Sequence, residues 1–160
     1  MTFYLKVIAI ILAMVQPFIL MSCFGELNSL SAYWDTAGQP LFIITNATTS
    51  YFLFSTKSWQ VPALCLLGVT AFPFSEYHIL HNVLAITFFV VALIPMIRLA
   101  RFRYYLIPYI VGVCIVPQNL FYGEIVCIVT ICLYHIHILL HIKKYALIKN
   151  IFNKIWIFGK

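Results

Sequence analysis

The feature that most constrains this chain is a set of long apolar runs whose interruptions sort by charge. Six such runs, 3–24, 40–55, 60–74, 77–97, 104–118 and 120–142, are joined by short polar segments. With spans drawn there, all 10 basic residues fall on one side: Lys6, Lys57, Arg98, Arg101, Arg103, Lys143, Lys144, Lys149, Lys154 and Lys160. The 4 acids, Glu26, Asp35, Glu76 and Glu124, fall at or near the other. An odd number of spans, or a shifted pair of boundaries, would scatter the lysines over both faces.

A hydrocarbon core of ~30 Å takes ~20 helical residues to cross. Backbone in lipid must satisfy its own hydrogen bonds, which leaves helical bundles or closed barrels. The runs do not alternate, so the predicted fold class is all-α, a polytopic membrane bundle of six transmembrane helices. Lysine and arginine are retained on the cytoplasmic side. The charge sorting therefore predicts cytoplasmic N- and C-termini in the cell membrane, inner or plasma. A net charge of +6 would raise the question of nucleic acid in a soluble chain. Here membrane topology accounts for it, since 64% of residues are hydrophobic, only 9% are charged and mean hydropathy is +1.01. No nucleic-acid partner is expected. The 5 cysteines lie in or beside the runs without paired spacing, as packing residues rather than a disulfide or zinc framework.

Two parts are predicted: a six-helix transmembrane domain over 1–144 and a cytoplasmic amphipathic tail over 145–160. The tail puts Ile148, Ile151, Phe152 and Ile155 on one face and Lys149, Asn150, Asn153 and Lys154 on another, a pattern suited to lying on a membrane surface. The alternative is that it prolongs the sixth span. The longest polar stretch, 25–39, is expected outside the membrane with Tyr33 and Trp34 at headgroup depth. The second span carries a polar patch from Thr45 to Ser50. Such residues bond across to neighbouring helices, and Asn46 within it is also a candidate substrate or ion contact.

Chemistry concentrates around residues 71–89, where a Phe-Pro-Phe turn precedes Glu76, His78, His81 and Asn82. His78 and His81 stand three residues apart at the start of a helix, and Glu124 lies about one turn into the sixth span at similar depth. Asp35, Glu26 and Glu76 are within reach from the loops. Three readings fit: a hydrogen-bonded cluster fixing loops, a pocket recognising a lipid headgroup or other ligand, or a metal site. In the last, His78, His81 and Glu124 would hold zinc with an open position for water, as hydrolytic sites do. His137 is ~25 Å away along the membrane normal by helical rise, too far to share that ion.

The sixth span carries a second pattern. Glu124, Cys127, Thr130, Tyr134, His137 and His141 recur at three- and four-residue steps, one face of a helix. Polar residues in a membrane helix face the bundle interior or a water-filled path, so this stripe is a candidate proton or ion route. Gly68 and Gly112 are candidate close-packing points, within the bundle or between copies in a homo-oligomer.

Phe72-Pro73 followed by His81-Asn82, Ala85 and Phe88-Phe89, with Ser31 and Pro40-Leu41-Phe42 in the first outer segment, resembles the DRAM/Frag superfamily of six-span membrane proteins and its bacterial relatives of unknown function. The likeness covers roughly 24–89 in recognisable residues and the rest in span count. It implies that His81, Asn82 and Ala85 are family-like positions, with Ser31 and Pro40 beside them. A Pro-Glu-Ser loop signature is missing. His137 and His141 also mimic the HxxxH of a seven-span zinc hydrolase family related to alkaline ceramidases, but the chain has one span too few.

These observations lead to the expectation of a non-catalytic multi-pass protein. It would recognise a membrane lipid headgroup, or a membrane-protein partner, at an extracytoplasmic pocket around His78, His81, Asn82, Glu124, Asp35 and Asn46, without a cofactor. A zinc-dependent lipid hydrolase at the same place is the alternative. Transport along the Thr130, Tyr134, His137 and His141 stripe is the third.

Overall fold

The computed structural model describes residues 2–158, with side chains for 3–99 and 101–144. It contains six α-helices: α1 (Thr2–Phe24), α2 (Gln39–Phe54), α3 (Gln60–Ala71), α4 (His78–Arg98), α5 (Leu106–Ile115) and α6 (Leu120–Phe158). Short 3-10 helices at Leu30–Asp35, Lys57–Trp59 and Ala100–Tyr105 fill the connections, and no strand occurs among the described residues.

Among the described residues, three helical segments are long and apolar enough to cross a membrane: Phe3–Phe24, His78–Arg98 and Leu120–Lys144. The other three helices are shorter, with 16, 12 and 10 residues in α2, α3 and α5. At ~1.5 Å per residue, α3 and α5 fall well short of a bilayer unless the adjoining turns extend them. Large apolar side chains also cover the outside of the bundle: Ile79 is 80% exposed, Ile107 69% and Ile86 63%. An apolar surface so extensive is unusual for a protein in water and suits a lipid surround.

The helices form a nearly closed ring. In turn, α6 packs on α1, α1 on α2, α2 on α3, α3 on α4, and α5 back on α6. Only α4 and α5 barely meet. They are held at one level by Tyr109, whose hydroxyl donates to Phe89 O at 2.7 Å, and α4 is tied to α6 by Tyr134, whose hydroxyl donates to Pro95 O at 3.1 Å. Around these bonds lies a core of Trp59, Phe88, Met96, Phe102, Tyr109, Cys127 and Tyr134. Above it, towards the start of α4, the two helices part.

Small residues set the close contacts. A Cβ on Gly112 would come within 2.7 Å of Cys127 Sγ, so α5 and α6 touch where glycine leaves room. A Cβ on Gly68 would meet the Leu84 side chain at 2.8 Å, between α3 and α4. Both glycines therefore pack within the bundle. The α2 polar patch bonds as its composition suggests, with the Ser50 hydroxyl crossing to Ala63 O of α3 at 2.5 Å.

The stretch between α1 and α2 departs from expectation. Rather than standing as an exposed aromatic anchor, Tyr33 is fully buried, in a core with Leu20, Leu30, Phe42, Val69, Phe121 and Ile125. The turn is made by Gly25 at φ +79, a conformation that L side chains resist. The Tyr33 hydroxyl donates to Gly25 O, and the Ser29 side chain caps the 3-10 helix by accepting from Ala32 N. Burial, reinforced by the nearby Glu26 charge, holds the Tyr33 phenol above its ordinary pKa. The segment is thus a plug folded into one end of the ring. Its apolar residues Leu30 and Tyr33 sit three apart on a 3-10 turn, which aligns them on one side.

That end holds the acids: Glu26 accepts from the Tyr122 hydroxyl at 2.9 Å and Asp35 from the Ser75 hydroxyl at 2.8 Å. At the opposite end Lys6 donates to Ser55 Oγ at 2.6 Å, Lys143 to the Tyr4 hydroxyl at 3.4 Å, and Arg103 to Ile97 O at 3.0 Å. The backbone of α6 runs on without a break through Phe158, so residues 145–158 prolong the sixth helix. The side chains of the tail, and with them its amphipathic faces, lie outside the described residues.

Candidate functional site

Where α4 parts from α5 and α6, the ring encloses a cavity of about 470 Å³. One end is polar, made by Asn28, Ser29 and Ser31 of the plug, His78 and Asn82 of α4, and Glu124 of α6. The rest of the wall is apolar, with Ala85, Ile86, Phe89, Val90 and Leu93 of α4 facing Val113 of α5 and Val116 just after it. Several wall residues are also exposed on the outside of the bundle, Ile86 at 63%, Val90 at 58% and Val113 at 45%. The cavity is therefore a groove opening sideways between α4 and α5.

Each polar group has a local reason for its place. Glu124 is 7% exposed, and its Oε2 accepts from Leu30 N at 2.7 Å. This bond joins the plug to α6 and satisfies a backbone donor near the start of the 3-10 helix. On α4, the Asn82 amide donates to His78 Nε2 at 3.2 Å, one helical turn apart, and the His78 ring stacks edge-on against Phe74 at 4.8 Å.

His81 stands apart from the groove. It is 0% exposed, and its Nδ1 lies 2.8 Å from Phe72 O. A carbonyl only accepts, so Nδ1 carries the proton and donates. The bond takes up a carbonyl at the end of α3, where Pro73 stops the helix, and locks the α3–α4 turn. The Phe74 ring stands against both imidazoles, 4.8 Å from His78 and 5.4 Å from His81. Asp35 is engaged by Ser75 outside the groove wall. Asn46 reaches a small adjoining cavity of about 40 Å³, which shares Ser31, Ala85, Phe89 and Glu124 with the groove. That volume suits about one water.

Of the six candidate ligand residues, His78, Asn82 and Glu124 meet in the groove, Asn46 adjoins it, and His81 and Asp35 serve the turn beside it. Among the described residues, no three His, Cys, Asp or Glu side chains are grouped so as to hold a metal ion, and His78, His81 and Glu124 are not so grouped. Asn28 and Ser29 join Ser31, which the resemblance singles out, because the plug folds inward; in sequence they show only as small polar residues in a long loop.

Of the sixth-span stripe, Glu124, Cys127, Thr130 and Tyr134 are buried in the bundle, while His137 and His141 are half-buried. The Thr130 hydroxyl donates to Val126 O at 2.7 Å in its own helix, and that of Tyr134 donates to Pro95 O. The Tyr104 hydroxyl lies 2.6 Å from His137 Nδ1, with Tyr105 at 3.3 Å, while the Phe102 ring packs edge-on to His137 and His141. These contacts fasten the 3-10 turn at Ala100–Tyr105 to α6.

Comparison with protein-family models, with curated proteins and with solved structures found no match for this chain.

Proposed function

We propose that this protein is a six-span membrane protein with both termini in the cytoplasm, and that its groove holds a lipid-like amphiphile from the extracytoplasmic side. The observation that carries the reading is the division of one cavity into a polar end and a long apolar wall that is open towards the surrounding lipid. A chain of methylenes between α4 and α5 gains roughly 0.8 kcal/mol per buried CH₂ relative to water. From the lipid phase that gain largely vanishes, so selectivity rests on the polar end. There Asn28, Ser29, Ser31, His78 and Asn82 offer neutral donors and acceptors with the Glu124 carboxylate behind them. Neither lysine nor arginine lines the groove, which favours a headgroup without net negative charge.

The six-span topology is supported by the separation of acids and bases to opposite ends, with α2, α3 and α5 completed as spans by adjoining turns and some local thinning of the bilayer. The resemblance to the DRAM/Frag superfamily stays a proposal about ancestry, resting on Phe72-Pro73, His81-Asn82, Ala85 and Phe88-Phe89. No step of bond cleavage is assigned to the groove; its Glu124 carboxylate is engaged by Leu30 N, which supports recognition.

The test is photo-crosslinking in membranes with a lipid bearing a diazirine on its acyl chain. Labelled peptides should centre on Ile86, Val90 and Val113. Uniform labelling of all lipid-facing residues, Ile79 and Ile107 included, would contradict a held lipid.

A further inference from the structure

A second cavity lies at the opposite, basic end of the bundle, between α1, the α2–α3 turn and α6. It measures about 170 Å³ and is lined by Lys6, Thr49, Thr56, Ser58, Trp59 and His135 among others. That is several times the ~30 Å³ that a water takes up in the liquid. We propose that this cavity binds a phosphate ester, the headgroup of an anionic phospholipid in the cytoplasmic leaflet, through Lys6, His135 and the hydroxyls of Thr56 and Ser58.

Four observations carry this. Lys6 donates to Ser55 Oγ, a neutral partner, while the carboxylates of Glu26, Asp35 and Glu124 are engaged at the plug end, away from Lys6. His135 Nε2 is buried without a hydrogen-bond partner although its residue lines the cavity. Such a buried polar atom carries a desolvation cost unless a partner arrives. The Trp59 ring, fully buried, packs edge-on to the imidazole at 4.3 Å and so fixes its direction. Finally, Thr56 and Ser58 sit at the exposed rim, where their hydroxyls reach an oxygen-rich headgroup as it enters.

A phosphate has the charge for Lys6 and several acceptor oxygens for the hydroxyls and for a ring N–H of His135. Basic pockets between membrane helices on the cytoplasmic side recognise anionic headgroups by this chemistry. His135 points away from the stripe of Glu124, Cys127, Thr130 and Tyr134 on the same helix. This site is independent of the groove at the other end.

The experiment is native mass spectrometry of the full chain in detergent, titrated with phosphatidic acid, phosphatidylglycerol or phosphatidylcholine. Wild type should retain the two anionic lipids over phosphatidylcholine, and Lys6→Gln should weaken that retention about fivefold. Thr56→Ala/Ser58→Ala, at exposed positions that leave the core intact, should weaken it as well, while Lys57→Gln, outside the cavity, should not. Competition by glycerol 3-phosphate with the same dependence on Lys6 would identify a soluble phosphate ester as the source. Equal retention of phosphatidylcholine, or equal loss in Lys57→Gln and Lys6→Gln, would overturn the site.

Discussion

The Glu124 carboxylate of α6 accepts a hydrogen bond from Leu30 N at 2.7 Å across 94 residues of sequence. This one contact explains how a loop becomes part of the bundle. Leu30 and Tyr33 supply the apolar anchor, and Glu124 supplies the acceptor that a buried backbone donor requires. With the plug seated, Ser29 and Ser31 become wall residues of the groove.

Glu124→Ala should therefore act first on stability. It leaves the Leu30 N–H buried without its acceptor, a loss of about 1–3 kcal/mol. Glu124→Gln keeps an acceptor and should be milder. Thermal unfolding of purified protein in detergent ranks the two; equal effects would mean that the bond to Leu30 contributes little.

His78 and His81 should separate cleanly despite their spacing. His81→Ala removes a buried donor to Phe72 O and opens a cavity in the turn, so it should lower stability by roughly 1–3 kcal/mol. His78 is exposed to the groove, so His78→Ala should leave unfolding nearly unchanged and weaken retention of the bound amphiphile. Parallel melting and lipid-retention measurements decide this. A stability loss at His78 equal to that at His81 would contradict the division of roles.

Topology has a direct readout. In a cysteine-free background, Glu76→Cys should react with a membrane-impermeant maleimide in intact cells, and Lys57→Cys only after permeabilisation. Reaction at both positions in intact cells would remove the six-span arrangement with cytoplasmic termini.

The sequence revealed the helices well and the plug poorly. Long apolar runs between charged turns located α1, α4 and the start of α6, because a span's length and composition are local properties. His78 and Asn82, four residues apart, meet for a similarly local reason, one helical turn. What spacing could not reveal was the inward fold of Leu30–Asp35, since a polar stretch with one tyrosine reads as surface until long-range packing against Phe121 and Ile125 decides otherwise. The same holds for His81: its partner, the carbonyl of Phe72, is backbone and leaves no mark in the pattern of side chains. The gap between α4 and α5 was also invisible, because it arises from how the ring closes rather than from any residue in it.

The central claim is a lipid-like amphiphile seated between α4 and α5. It is tested most directly by native mass spectrometry of the protein extracted from its membrane, wild type beside Ala85→Phe, which fills the groove, and Ile79→Phe, which adds the same ring on the outer face where Ile79 is 80% exposed. Wild type and Ile79→Phe should carry the same adduct of discrete lipid mass, and Ala85→Phe should lose it while melting at a similar temperature. An adduct retained unchanged in a folded Ala85→Phe variant, or absent from wild type, would contradict the account.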